Sequence, residues 1–397
     1  MANNYNELIK IGDKEYKYVL GLMSGTSLDG LDLALCKVKG TGYETDLEII
    51  NFQTVEYEDK FRDEIRKVFA KPDACIQDVC FLDQLVATKH SQIINDTILE
   101  WQLSSDLIDI IASHGQTVYH APGHFHENKA YGNITLQVGD GDFIAQNTGI
   151  ITASDFRQKH IAAGGEGAPL ALYGDVCLFS NQVTDRILLN IGGIANFTYL
   201  PKLEGISSDF PFSTDTGPGN TLMDAYMRYV FGKEFDRDAK VAESGVVNEQ
   251  LLKSLMENPF FDLHFPKTTG PELFNLEYLF DKIQSSVNAI IPVDVMATLN
   301  RFSVLSITEG LEGYANPGTE IFISGGGAHN PLLMDQLKLR FPNSGFKNTK
   351  VLGVDGDAKE AVLFAVLANE LLFGDPKSYP YFGENMPKTT MGKLSFP

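Results

Sequence analysis

No run of apolar residues in this chain approaches the ~18 needed to cross a bilayer, so a membrane-spanning helix is excluded. Residues 1–18 are polar and lack the apolar core of a signal peptide, which points to a cytoplasmic protein. Cysteine is scarce. Cys36, Cys75, Cys80 and Cys177 form no Cys-x-x-Cys pair, and Cys36 and Cys177 sit in apolar runs. That usage speaks for free thiols in a reducing compartment and against a disulfide framework or a zinc ribbon. Positive charge is also short: 32 Lys and Arg stand against 52 Asp and Glu, a net charge of −20. Nucleic acid and anionic membrane are thereby poor partners. A nucleotide is not excluded, because a nest of backbone amides outweighs net charge at close range. Two nucleotide signatures are missing as well. No GxxxxGK[ST] occurs, and no GxGxxG opens a helix, so this is neither a P-loop nor a Rossmann protein.

What remains is a chain of 397 residues, 43% hydrophobic and 21% charged, ordinary values for a globular protein of two or three domains. Apolar residues 18–22 and 31–38 flank a polar turn from Ser24 to Gly30, the pattern of two buried strands and a hairpin. Gly25 and Gly30 let a ligand approach the backbone. Thr26 and Ser27 add hydroxyls, and Asp29 can hold a hydrated Mg²⁺. An ordinary hairpin has the same composition. The theme returns at residues 186–200, where Gly192 and Gly193 separate two strand-like runs. The repetition predicts an internal duplication into two related α/β domains, 17–185 and 186–372, with 373–397 laid over the surface as a tail.

Between the hairpins the pattern predicts a third strand at 43–57 and helices at 60–70 and 76–101. A buried strand at 107–117 ends in His114 and Gln116, where ligands gather in open α/β sheets, though His114 can equally serve to cap the strand. His120, His124 and His126 follow in a loop without the Cys or carboxylate that would complete a zinc site. A strand at 134–138, a helix at 142–148 and a strand at 149–154 deliver Asp155 and Arg157. Gly164, Gly165 and Gly167 surround Glu166 in a loop better suited to touching a polar ligand than to packing. In the second half, Asp215, Gly217, Gly219 and Asn220 precede a helix at 221–231 and form an anion-friendly corner. Asp215 stands several residues early for a helix cap. A polar loop at 266–272, a helix at 295–310, a strand running into Gly325-Gly326-Gly327 and a last helix at 355–372 complete the chain.

Paired glycine hairpins and a strand–GGG–helix turn resemble the sugar-kinase, Hsp70 and actin superfamily. The strings LMSGTSLDGLD (22–32), SHGQTVYH (113–120), DFR (155–157), AAGGEGAPL (162–170), LNIGGIAN (189–196), DTGPGN (215–220), PKTTG (266–270) and SGGGAHNPLL (324–333) are similar, in order, to the anhydro-N-acetylmuramic acid kinase family. The resemblance spans residues 18–372. It implies two duplicated actin-like (ribonuclease H-like) ATPase domains with an interdomain cleft, a homodimer, and use of ATP and Mg²⁺. The reaction it implies converts 1,6-anhydro-N-acetylmuramic acid and water to N-acetylmuramic acid 6-phosphate in cell-wall recycling.

By the same resemblance Asp215 is the general base that activates water, and Glu360 orders Asp215 or a water. Gly25, Thr26, Ser27, Leu28, Asp29, Gly30, Leu31 and Asp32 meet the phosphates and the metal, with Asp29 as metal ligand. Gly192 and Gly193 supply the second hairpin, and Gly325, Gly326, Gly327 and Asn330 the adenosine side. His114, Gln116, Asp155, Arg157, Gly164, Gly165, Gly167 and Asn220 are the sugar candidates. Arg157 has the fork for a lactyl carboxylate; a structural Asp155–Arg157 pair is the alternative. The chain departs from the family pattern at Glu166, usually Gln, at Pro271, usually Arg, and at His160, often Asp. The same residues are compatible with two rival functions: a kinase whose sugar hydroxyl attacks directly, and a nucleotide switch without a sugar.

Overall fold

The computed structural model describes residues 4–123, 126, 128, 130–204, 210–284, 289–354, 356, 358–375 and 387–397. His124, the helix start expected at Asp355 and part of the 373–397 tail lie outside them. The chain forms two compact units, one from residues 1–179 with 353–397 and the other from 180–352.

In the first unit, β1 (Lys17–Ser24) pairs antiparallel with β2 (Gly30–Lys39), from Lys17 opposite Val38 to Met23 opposite Asp32. β2 pairs antiparallel with β3 (Asp46–Glu56). On the other side, β4 (Ile110–Ala121) runs parallel to β1, and β6 (Thr152–Ser154) parallel to β4. β5 (Ile134–Val138) pairs with the far end of β4. The sheet order is therefore β3-β2-β1-β4-β6.

β1 and β2 are apolar on both faces because both faces are covered. Leu20, Leu22, Leu33 and Leu35 join one core with Ile65 of helix Asp59–Val68 and with Val86, Ile93 and Ile94 of helix Ile76–Glu100. The opposite face carries helix Lys359–Phe373, which lies on β1, β2 and β4. Gly21 permits that approach: a Cβ there would stand 2.0 Å from the Ala361 carbonyl oxygen.

The second unit repeats the plan. β7 (Arg186–Ile191) pairs antiparallel with β8 (Ile194–Leu200), and β8 with β9 (Phe212–Pro218). β10 (Glu320–Ser324) runs parallel to β7 and to β11 (Gly345–Asn348). The order β9-β8-β7-β10-β11 matches β3-β2-β1-β4-β6 in sequence and in direction. Each unit is thus the ribonuclease H-like α/β sheet expected, and the duplication lies in strand order as well as in glycine turns. Phe197, Phe274 and Phe302 are fully buried in the second core, Phe302 on helix Pro292–Leu311.

Three expectations are corrected. Helix Lys359–Phe373, assigned to the second domain, packs in the first, so that unit is built from both ends of the chain. Lys393–Ser395 of the expected surface tail forms β12, antiparallel to β6, with Met391 buried beside it. Asp215, expected in a corner ahead of a helix, lies within β9.

Candidate active site

In the first unit, the turn after β1 is held from below by a chain of buried polar groups. Ser24 Oγ donates to Gln116 Oε1 at 2.6 Å, and Tyr57 OH donates to Ser24 Oγ at 2.9 Å. Tyr57 OH lies 2.7 Å from His90 Nε2. Since the phenol proton goes to Ser24, His90 supplies the proton of that contact as a neutral imidazole. Burial drives its pKa down to about 3. Gln116 Nε2 closes the chain by donating to the Gly25 carbonyl at 3.2 Å.

Leu28 stands at φ 62°, a region an L side chain adopts only under constraint, and its side chain is 4% exposed in the core. Plugging the turn in this way leaves Thr26, Ser27 and Asp29 exposed. Leu31 is buried and offers a ligand only its backbone. Gly30 serves packing, because a Cβ there would meet the Val55 carbonyl at 2.5 Å. Asp32 Oδ1 accepts from Thr54 Oγ1 at 2.6 Å.

The sugar candidates divide. Arg157 Nε donates to His114 Nε2 at 3.0 Å, and its NH1 to the Gly167 carbonyl at 2.7 Å. Burial, then the guanidinium, push the His114 pKa down to about 3, so this ring is neutral. Asp155, itself at φ 55°, pairs with Lys393. The Asp155–Arg157 pair is therefore replaced by these other contacts. Gly167 N donates to His160 Nδ1 at 2.8 Å, and the Gly165 carbonyl accepts from Asn133 Nδ2 at 3.0 Å. Gly165 lies flat on the His160 ring, where a Cβ would come within 2.2 Å. The loop is pinned at these points, with Gly164 and Glu166 exposed. His160, also bonded to Tyr173 OH, is a support for that loop.

Glu360 is solvent-accessible, yet surrounding protein raises its pKa; Arg157 opposes the rise and Asp32 adds to it. Its charge is thus felt by Asp32, at the end of the Gly25–Asp32 turn, and by Arg157 of this unit.

In the second unit, Asp215 sits in β9 opposite Asn196 of β8, beside a bulge that leaves Thr216 unmatched. Its backbone N donates to the Lys267 carbonyl at 2.9 Å, and Oδ2 accepts from Thr269 N at 2.8 Å. Burial raises its pKa, the Thr269 amide lowers it, and Glu272 raises it again. A half-buried carboxylate with one satisfied oxygen and a raised pKa has the character of a general base.

The Gly192–Gly193 turn is locked to the helix that follows Asn220. Gly219 N and Thr221 N donate to the Gly193 carbonyl at 2.8 and 3.0 Å, and Asn220 N to the Gly192 carbonyl at 2.8 Å. Asn220 Nδ2 reaches the Ile191 carbonyl at 3.3 Å, so this sugar candidate braces the second hairpin. Gly325, at φ 83°, and Gly327 lie against Ile191, where Cβ atoms would meet it within 2.6 and 2.2 Å. Gly326 is exposed. Asn330 caps helix Pro331–Arg340, Oδ1 accepting from Leu333 N at 3.0 Å and from Asn300 Nδ2 at 3.2 Å.

A metal finds no ready cage: among the described residues no group of three or more His, Cys, Asp or Glu is arranged to hold one. Mg²⁺ bound with a triphosphate keeps several waters and needs only one or two carboxylates. Asp29, exposed on the Gly25–Asp32 turn, fits that requirement.

A family model described as anhydro-N-acetylmuramic acid kinase matches residues 17–396. This chain belongs to the anhydro-N-acetylmuramic acid kinase family. Family members from Pseudoalteromonas atlantica and Pseudoalteromonas translucida are 48% and 49% identical to it over 402 and 401 residues, covering all of each chain. The family member from Caldanaerobacter subterraneus is 37% identical over 397 residues, covering 98% of this chain and all of that one. A ROK family glucokinase from Streptomyces griseus, solved with glucose and AMPPNP, aligns over 88% of this chain and 98% of its own at 12% identity and a TM-score of 0.34. That likeness is too distant to add to the strand order. As a member of a kinase family the chain is a phosphotransferase, and no helix among its described residues is long and apolar enough to cross a membrane.

Ser24, Tyr57, His90, Lys267 and Thr269 were not among the expected site residues. Ser24 and the two loop residues fall inside matched motifs. Tyr57 and His90 carry no local signal, since they meet Ser24 only through the fold.

Proposed function

We propose that this protein is an ATP-dependent, cytoplasmic anhydro-N-acetylmuramic acid kinase. Water attacks C1 of 1,6-anhydro-N-acetylmuramic acid and gives its proton to Asp215. The C1–O6 bond breaks, and the released O6 takes the γ-phosphoryl group of ATP, leaving N-acetylmuramic acid 6-phosphate and ADP. The observation that carries this reading is Asp215, a half-buried carboxylate of raised pKa, within a chain that matches the family from residue 17 to 396.

Water is a weak nucleophile and needs a base within ~2.6–3.2 Å, and positive charge developing at the anomeric carbon favours a carboxylate nearby. The exposed Thr26, Ser27 and backbone of the Gly25–Asp32 turn would take phosphate oxygens, and Gly192 and Gly193 would offer the second turn. Mg²⁺, held by Asp29, would supply charge neutralisation for phosphoryl transfer. Arg157 is the cation available for the sugar's carboxylate, and Glu360, whose charge it feels, would order water. Gln116 and Asn220 support their turns rather than touch sugar in this reading. An exposed Glu166 near His120 bears on the electrostatics of an anionic sugar without occupying the Arg157 fork.

Incubation with ATP, Mg²⁺ and the anhydro sugar in ¹⁸O-water is the test. One solvent oxygen at C1 of a 6-phosphate product is expected; ATP hydrolysis indifferent to sugar would favour a nucleotide switch. Asp215→Asn should lower kcat about 10²–10⁴-fold while ATP still binds.

A further inference from the structure

Lys267 sits in the loop that touches Asp215, but its side chain points away from the carboxylate. Nζ donates to the carbonyls of Phe260 and Phe261 at 3.0 and 3.2 Å. The ammonium stands 4.4 Å from the Phe260 ring centroid, 5.3 Å from that of Phe265 and 5.8 Å from that of Phe261. Three aromatic rings and two carbonyls make a receptor for one cation, and such contacts strengthen when partly desolvated.

The backbone of the same residue is tied to β9. Lys267 N donates to Thr214 Oγ1 at 2.9 Å, while its carbonyl accepts from Asp215 N at 2.9 Å and Thr214 Oγ1 at 3.2 Å. Two residues on, Thr269 N donates to Asp215 Oδ2. A loop fixed at Lys267 by both main chain and side chain carries that amide to the carboxylate.

We propose that Lys267 is a positioning residue: its caged ammonium fixes the 266–270 loop so that the Thr269 amide holds Asp215 in its reactive rotamer. The inference rests on Asp215 being the general base. Other charged groups in the neighbourhood are Glu272, which faces Asp215, and Asp262 and Glu309, which face Lys267. None of them donates a hydrogen bond to the carboxylate, so the amide's contribution is separable from theirs.

The test is the pH profile of kcat for Lys267→Met and for Phe260→Leu, which removes the nearest ring and leaves Lys267 in place. Freeing the amide from Oδ2 favours protonated Asp215, so the acidic limb of kcat should move to higher pH in both variants. In Lys267→Met, kcat at the plateau should fall about 10- to 100-fold, as expected for small misplacement of a reacting group. A folded Lys267→Met enzyme with an unmoved acidic limb overturns the proposal. Should that variant not fold, an unmoved limb in Phe260→Leu does so equally. Asp215→Asn measured in parallel separates the two readings, because full turnover in that variant would remove the base itself rather than its support.

Discussion

At the scale of single residues, the Gly25–Asp32 turn rests on buried groups beneath it. The chain His90–Tyr57–Ser24–Gln116–Gly25 is directional: each member donates once to the next, down to the Gly25 carbonyl. His90 Nδ1 has no hydrogen-bond partner, which suits an imidazole whose one proton lies on Nε2. Removing the phenol oxygen breaks the chain in the middle. Tyr57→Phe leaves the buried His90 N–H without an acceptor, a loss of about 1–3 kcal/mol. It also frees Ser24 to turn away from Gln116. The expected result is a lower midpoint in chemical denaturation together with a rise in KM for ATP larger than the fall in kcat. Unchanged KM for ATP would mean that the chain is cement for β1 and nothing more.

At the scale of elements, strand and turn positions were legible and their partners were not. The β1–β2 and β7–β8 hairpins announce themselves because buried strands are short, apolar and bounded by glycine, a local property. β9 escaped because Thr, Gly and Pro near Asp215 look like a turn, and only pairing with β8 makes them a strand. β12 has three residues and no apolar alternation to betray it. Helix Lys359–Phe373 was visible as a helix, but its return to the first unit rests on Gly21, whose missing side chain is a packing fact. That dependence gives a sharp expectation for Gly21→Ala. The added methyl would overlap backbone of Ala361, which has no rotamer to yield, so the helix must lift from β1. Destabilisation at or above the upper end of ~1–3 kcal/mol is expected, read by urea unfolding. A wild-type midpoint would show that the helix and sheet are not in contact as described.

At the scale of the whole molecule, the two units share a strand order but not a titration behaviour. Among the described residues, the histidines with depressed pKa all lie in the first unit: His90 and His114 near 3, His160 near 4, and His120 lowered. An unfolded histidine takes its proton near pH 6.5, so between that value and about 4 the unfolded state binds more protons, and stability falls as pH falls. Raised carboxylates act in the opposite sense, because the folded state then binds the extra proton. In the first unit these are Glu370, raised from 4.5 to about 6, with Glu360 and Asp83. The rise at Glu370 is smaller than the fall at each of the three deeply shifted histidines, so the histidines prevail. The second unit has Asp215, Asp224 and Glu309 raised, all of which favour the folded state on acidification; Glu320, lowered by Lys347 and Arg186, acts the other way only as pH falls below its ordinary value of 4.5. The first unit should therefore loosen between pH 7.5 and 5.0 while the second holds. Hydrogen exchange, corrected for intrinsic rates, should show protection in β1 and β4 falling at pH 5.0 and protection in β7 and β10 unchanged or higher. Equal losses in both sheets would mean that the buried imidazoles do not govern the acid response of this fold.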